Sequence, residues 1–310
     1  MVPSKVLVTG GAGFIASHLQ QSLLNLDIEV ISVDIQPESV PSISELIKNQ
    51  NFHYFQRDVN DTDTIIRLCE DADIIYHMAS NTNIRTGLSG PESDITDTLG
   101  STISLLEAMR RTDVRSIFFP SSSAVYGRKG TLLSEETGDL RPISYYGACK
   151  LASEALISSY SQMNDLDALV FRLPNIIGPG MTHGVVYDFV KKLSSDPDRL
   201  QILGNGKQKK QYLHVSDLVD GIIDFTFRMD RGYDCYNISN DSSIDVVSIA
   251  DIVCKEMGLH PTYQFTGGES GWKGDVPYFD LDSSKAGSRG WTYRYDSESA
   301  IIDTLRSSLR

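Results

Sequence analysis

Residues 5–16 read Lys5-Val-Leu-Val-Thr-Gly-Gly-Ala-Gly-Phe-Ile-Ala16. KVLVT, apolar and partly β-branched, has the character of a short buried strand, and from Phe14 to Leu26 apolar residues return at helical spacing. Between them the cluster Gly10, Gly11 and Gly13 calls for a tight turn. The spacing is GxxGxxA, in which small residues let the backbone approach a pyrophosphate at the positive end of a helix that opens with Phe14 and Ile15. About twenty residues on, Asp34 closes the run EVISVD, where a carboxylate holds ribose hydroxyls and repels a 2′-phosphate, so the reading is NAD binding and not NADP. Asp58 and Val59, after a third strand, are placed to border the purine.

Outward from this turn the same alternation continues through FHYFQRDV (52–59), a helix over 63–69, ADIIYHMA (72–79), a helix over 98–110 and RSIFFPSS (115–122). Strands that alternate with helices and read as continuous apolar runs indicate a parallel sheet covered on both faces. After Lys150 come a helix through Ser161 and the strand 169–173, then Gly- and Pro-bearing loops with helices near 216–228 and 246–257. The expected fold is α/β, a Rossmann-type doubly wound parallel sheet over 1–173, followed by a smaller C-terminal substrate-binding lobe over 174–310, with later strands free to return to the first sheet.

The 310 residues, 40% apolar and 22% charged, suit a core-forming globular chain. Subtracting 41 acidic from 28 basic side chains leaves −13, which argues against a broad nucleic-acid-binding surface. Four cysteines without CxxC spacing suggest reduced thiols in a cytoplasm and no metal cluster. The opening MVPSKVLVTG lacks a secretory leader, and no apolar run reaches the ~18 residues of a membrane helix.

Chemistry is carried by Tyr146-Gly-Ala-Cys-Lys150, whose i,i+4 spacing puts a phenol and an ammonium on one helix face. With 14 tyrosines in 310 residues, roughly half of one YxxxK match arises by chance, and Tyr187 with Lys191 supplies a second. Context separates the two pairs. Before Tyr146 lies Ser121-Ser-Ser-Ala-Val-Tyr-Gly127, at the end of an apolar strand and so at the carboxyl edge where such sheets bind ligands. A strand-end hydroxyl there can hydrogen-bond the same substrate oxygen that the tyrosine deprotonates.

With these motifs, the chain resembles the extended short-chain dehydrogenase/reductase superfamily, and within it the nucleotide-sugar epimerases and dehydratases typified by UDP-glucose 4-epimerase. The resemblance spans TGGAGFIASHL (9–19), YHMAS (76–80), SLLEAMR (104–110), SSSAVYG, YYGACK, RLPNIIGPG (172–180) and GNGKQKKQYLHVSDLVDGI (204–222). It implies Tyr146 as base, Lys150 as its electrostatic partner and ribose ligand, and Ser122, with Ser123 beside it, at the substrate. It further implies that His77 to Ser80, with Met78, Ala79 and Ser80 in contact, line the pyrophosphate, and that Asn175 contacts the sugar nucleotide. Lys210 and Gln211 stand where relatives carry an arginine and an acid for the phosphates. Trp272, in GWKGDV (271–276), replaces an arginine, so packing takes the place of charge. Asp97 stands near a helix start and reads as a cap.

The reaction implied is NAD-dependent 4-epimerisation of a nucleoside-diphosphate sugar, UDP-glucose with UDP-galactose foremost, with nicotinamide and sugar meeting between the lobes. The alternatives are a 4,6-dehydratase, or a catalytically inactive dinucleotide sensor of the same fold. No metal, nucleic acid or membrane is called for. A homodimer pairing the helices near 98–110 and 146–161 follows from the resemblance.

Overall fold

A computed structural model describes residues 2–82, 90–130 and 132–308. The buried runs become β1 (Lys5–Thr9), β2 (Glu29–Asp34), β3 (Phe52–Gln56), β4 (Ile74–His77) and β5 (Ser116–Ser122). With Asp167–Leu173 and Tyr233–Asn237 they form a seven-stranded sheet whose order is β3, β2, β1, β4, β5, then those two. The pairs β1–β2, β1–β4, β2–β3 and β4–β5 run parallel. The chain moves outward from β1 to β3, then returns to lay β4 on the other side of β1. That reversal opens a crevice beyond the carboxyl ends of β1 and β4. Gly10 follows β1 and Met78 follows β4, so both motifs stand at the switch point.

Alternation along β5 shows why both sheet faces are apolar. Phe119 joins a core with Leu7, Ile75, Leu105, Met109 and Ile157, which seals helices Ser101–Arg110 and Tyr145–Asn164 to one face. Its neighbour Phe118 points the other way, into an edge-to-face series with ring centroids at 5.1 Å to Phe171 and 5.3 Å from Phe171 to Phe225. Tyr236 closes that series 5.2 Å from Phe225.

The residues divide into two compact units. The first comprises Met1–Val125, Ser144–Arg172 and Val219–Tyr236; the second comprises Tyr126–Ile143, Leu173–Leu218 and Asn237–Arg310. In the second, Lys209–His214 lies between Asn175–Ile177 and Ser243–Asp245, and helices Val185–Ser195, Val246–Met257 and Ser297–Ser308 share an apolar core around Leu193, Leu200, Tyr212, Val253 and Ile301.

The structure corrects one local expectation. Residues Ile95–Gly100 form a π turn that runs straight into helix Ser101–Arg110. Because the backbone is already helical at Asp97, there is no helix start for it to cap, and its side chain is exposed. The adjacent Thr98 is the buried residue, and its hydroxyl accepts from the Asn81 amide at 3.2 Å. Among the described residues no helix is long and apolar enough to cross a membrane, and no group of three His, Cys, Asp or Glu side chains could hold a metal ion.

Phe171 is fully buried at the centre of the aromatic series. Phe171→Ala should cost about 3–5 kcal/mol, because it removes a large ring and leaves a cavity that the rigid sheet cannot collapse. Guanidinium unfolding should show a lower midpoint for the first unit; a midpoint within error of wild type would show that the series is not central to the core.

Candidate active site

The glycine turn is shaped by close approach. Gly10 has φ of 65°, and a Cβ there would lie 2.6 Å from the Ala79 backbone, so only glycine lets the β1 and β4 ends meet. Gly11 is pinned by Gln20, whose Nε2 donates to its carbonyl at 2.8 Å. At Gly13 an added Cβ would meet only the Gly10 carbonyl, at 3.1 Å, and no side chain caps the helix Phe14–Leu24 that Phe14 and Ile15 open. An open backbone surface before an uncapped helix N-terminus fits a pyrophosphate.

The surrounding groups suit the rest of an adenine dinucleotide. Asp34 Oδ2 accepts the Ala12 amide at 3.0 Å and Oδ1 accepts the Gln36 amide at 2.9 Å, which leaves each oxygen a lone pair for a ribose hydroxyl. The Met78 amide donates to the Thr9 carbonyl at 3.1 Å, the Ala79 amide to the Thr9 hydroxyl at 3.3 Å, and Ser80 shares a hydrogen bond with Thr98 at 3.0 Å. Asp58 accepts from the Asn60 amide at 2.8 Å, and Val59 turns into the core. His77 is also internal. Its ring nitrogens pair with Thr9 at 2.8 Å and Thr102 at 3.0 Å, and burial, with the nearby Lys150 charge, pushes it down to about 3.

The structure brings Ser122, Tyr146 and Lys150 together. Ser144 caps their helix by accepting the Gly147 amide at 3.1 Å, which places Tyr146 in the first turn. The Tyr146 phenol hydrogen-bonds Ser122. Lys150 is 3% exposed, donates to the Pro120 carbonyl at 2.8 Å, and has its ammonium 5.8 Å from the Tyr146 ring centre. Burial pushes the Tyr146 phenol up to about 12, with the Ser122 hydrogen bond opposing and the Asp94 charge adding to the rise. Burial likewise drives Lys150 down to about 7, against the pull of Glu154. The chain alone therefore favours a neutral phenol near neutral pH. Ser123 begins the short turn Ser123–Tyr126, and the Ala124 amide donates to Ser122 Oγ at 3.2 Å.

In the second unit, strand register gathers two of the expected ligands. Asn175 pairs with Tyr212, and Lys210 lies two residues before Tyr212, so Asn175 and Lys210 share a sheet face. The Asn175 side-chain NH₂ is buried with no hydrogen-bond partner among the described residues. Lys210 Nζ donates to Asp275 Oδ1 at 2.6 Å, and Asp275 Oδ2 accepts the Gly271 amide at 3.0 Å, which ties the lysine to the loop bearing Trp272. Trp272 is partly buried and its carbonyl accepts the Asp275 amide at 3.2 Å. Gln211, in contrast, faces inward: its Nε2 donates to the Asn240 carbonyl at 2.8 Å, so it is a structural residue and no phosphate ligand.

Three side chains escaped the motif reading. Asp94, 1% exposed, accepts from Asn81 Nδ2 at 3.0 Å and acts on Tyr146 through its charge. Glu154 binds Arg172 inside the first unit, with the closest contact at 2.8 Å. Arg128 donates to Ser270 Oγ at 2.8 Å and to the Asp275 carbonyl at 3.4 Å, which sets a second cation on the Trp272 loop. None belongs to a spacing pattern that a linear reading detects.

A sequence model of the NAD dependent epimerase/dehydratase family matches residues 6–239. The chain is similar to a crystallised UDP-galactose 4-epimerase, at 32% identity and a TM-score of 0.86, with 98% of each chain covered. It is also similar to the UDP-glucuronic acid 4-epimerase of Bacillus cereus, solved with UDP-glucuronic acid and NAD, at 25% identity and a TM-score of 0.89, again over 98% of each. The dTDP-glucose 4,6-dehydratase of an Actinoplanes species is 28% identical over 313 residues, covering 97% of this chain and 96% of that one.

The lowered Lys150 has a measurable consequence. Its charged form is disfavoured in the fold, so the penalty is complete below about pH 7 and disappears as pH rises toward the unfolded value near 10.5. Wild-type protein without cofactor should thus gain on the order of 3 kcal/mol relative to Lys150→Met between about pH 6.5 and about pH 9.5. Parallel denaturant titrations at the two pH values check this; a constant difference between the proteins would show that Lys150 titrates normally.

Proposed function

The chain belongs to the NAD dependent epimerase/dehydratase family, and from that premise we propose that it inverts C4 of a nucleoside-diphosphate hexose, with UDP-glucose and UDP-galactose as the pair. The observation that carries this reading is the meeting of Ser122, Tyr146 and Lys150 at the end of β5 with Ser123 and Ala124, and no acid, next in the chain. The enzyme is an NAD-dependent isomerase. The residues proposed to hold NAD are Gly10, Gly13, Phe14 and Ile15 at the pyrophosphate, Asp34 at the ribose, Asp58 and Val59 near the purine, Met78 to Ser80 along the turn, and Tyr146 with Lys150 at the nicotinamide ribose. When bound, NAD supplies an acceptor that takes hydride from C4 and returns it to the opposite face of the transient 4-keto sugar.

The chain's own residues handle the proton. Tyr146 accepts it from the C4 hydroxyl and gives it back after inversion, while Ser122 hydrogen-bonds the same oxygen and holds it against the phenol. The phenol is neutral in the chain alone, so a base forms there only when positive charge is added beside it. Lys150 contributes when protonated. The diphosphate takes its cations from Lys210 and Arg128, with Asn175 donating to the sugar nucleotide and Trp272 packing against it. Four buried free cysteines accord with a reducing cytoplasm. Ile103 and Met163, exposed by 44% and 82% on the two helices named for pairing, support a homodimer.

Tyr146→Phe should lose ~10²–10⁴-fold in turnover, whereas Tyr187→Phe should stay near wild type, because Tyr187 stands 39% exposed on helix Val185–Ser195. The opposite ranking, read from initial rates, discards this site.

The reaction class is decided in deuterated water. Eliminating water across C5 and C6 requires proton removal at C5 and an acid for the leaving hydroxyl, and Ser123 and Ala124 provide neither. Mass spectrometry should find a C4-inverted sugar that keeps its C4 hydrogen. Deuterium at C5, or a 6-deoxy mass loss, overturns the epimerase reading in favour of a dehydratase.

A further inference from the structure

Glu154 takes no part in the chemistry above, yet it sits one helical turn beyond Lys150 and two beyond Tyr146, with a side chain 4% exposed. The hydrogen bonds it accepts come from outside its own helix. Oε1 accepts the Ser121 hydroxyl and Arg172 Nε at 3.2 Å; Oε2 accepts Arg172 Nε at 3.2 Å and Nη2 at 2.8 Å. Ser121 immediately precedes Ser122, and the residue before it, Pro120, offers its carbonyl to Lys150. Three consecutive residues of β5 thus meet one helix: Pro120 at Lys150, Ser121 at Glu154, and Ser122 at Tyr146.

We propose that Glu154 is a positioning residue, one that locks the strand end bearing Ser122 against the helix bearing Tyr146 and supplies the negative charge that favours the Lys150 ammonium. The first part follows from the cross-link. Without it, Ser121 loses its anchor on the helix, and the strand end keeps the Pro120 contact to Lys150 while Ser122 meets the helix through the phenol it must help to orient. The second part follows from the charges around Lys150. On its own helix stand the neutral Tyr146 and the carboxylate of Glu154; β4 presents His77, whose ring is neutral; Asp167–Leu173 presents Arg172; and Tyr233–Asn237 presents the neutral phenol of Tyr233, which senses both Glu154 and Arg172. Asp94 faces Tyr146 and Cys149. Glu154 is the acid that supports the ammonium, and Arg172 pairs with that acid at 2.8 Å.

This inference rests on Tyr146 being the base, so Tyr146→Phe is measured alongside. Three variants separate the effects: Glu154→Gln, the double variant Glu154→Gln with Arg172→Met, which removes both members of the ion pair, and Ser121→Ala, which cuts only the arm to the strand and keeps both buried charges paired. The readouts are kcat and KM across pH, bound NAD, and thermal melting. Both Glu154 variants should lose ~10–100-fold in kcat at alkaline pH, with KM and NAD content near wild type. Their alkaline limb should move about one unit or more to lower pH, with the loss shrinking in acid, because an ammonium without its acid gives up its proton sooner. Ser121→Ala should lower kcat several-fold with the limb in place. An even loss at every pH, an unmoved limb, or a Ser121→Ala protein with wild-type kcat overturns the proposal. If the Glu154 proteins fail to melt cooperatively, Ser121→Ala alone decides the positioning role. Retained activity in Tyr146→Phe would instead sink the underlying site assignment.

Discussion

The end of β5 is held to one helix by three successive residues, and the candidate catalytic geometry depends on that seam. Pro120 contributes a carbonyl, which proline can offer because the residue lacks only the donor. Lys150 answers it from a site where its charge is costly. A lysine 3% exposed survives in such a place only if its ammonium finds acceptors and a nearby negative charge. It finds one of each, in Pro120 and Glu154. Removing the lysine would relieve the burial penalty and abolish the electrostatic support of the phenol, so stability and function are opposed at this position.

The architecture around the seam was largely legible as a sequence. The buried strands are short apolar runs, and β1 and β2 keep the limits that KVLVT and EVISVD suggest. The glycine turn announces itself because only glycine tolerates φ of 65° with another backbone 2.6 Å from its absent Cβ. Strand ends were less legible. FHYFQRDV looks extended to Val59, but pairing stops at Gln56, where Asp58 folds back onto the Asn60 amide. The π turn before Ser101 has no sequence signal, since its extra residue is accommodated by tertiary packing that moves Thr98, and not Asp97, into the interior.

Site residues that lie in motifs could be read, while those defined by partners could not. Glu154 looks like any polar residue in a helix until Arg172 and Ser121 arrive from two strands. Lys210 shows the converse. As a sequence it is a free cation near the diphosphate, but Asp275 matches its charge at 2.6 Å. A matched pair attracts an anion less than a lone ammonium does, and this is why Arg128, anchored beside the same loop by Ser270, changes the local sum. Its separation in sequence from GWKGDV hides that connection.

The titration order of the central pair carries a further physical meaning. Burial raises the Tyr146 phenol to about 12 and lowers Lys150 to about 7, so each group is driven toward its neutral form. A permanently ionised phenolate would be available to any hydroxyl that entered. A phenol that ionises only under added positive charge would instead stay silent until a cationic cofactor were held beside it, and if Tyr146 is the base, deprotonation of the sugar would then be tied to the presence of a hydride acceptor. The costs of burying both groups then act as a condition on ionising the phenol, and the Ser122 hydrogen bond, which favours the phenolate, eases that condition.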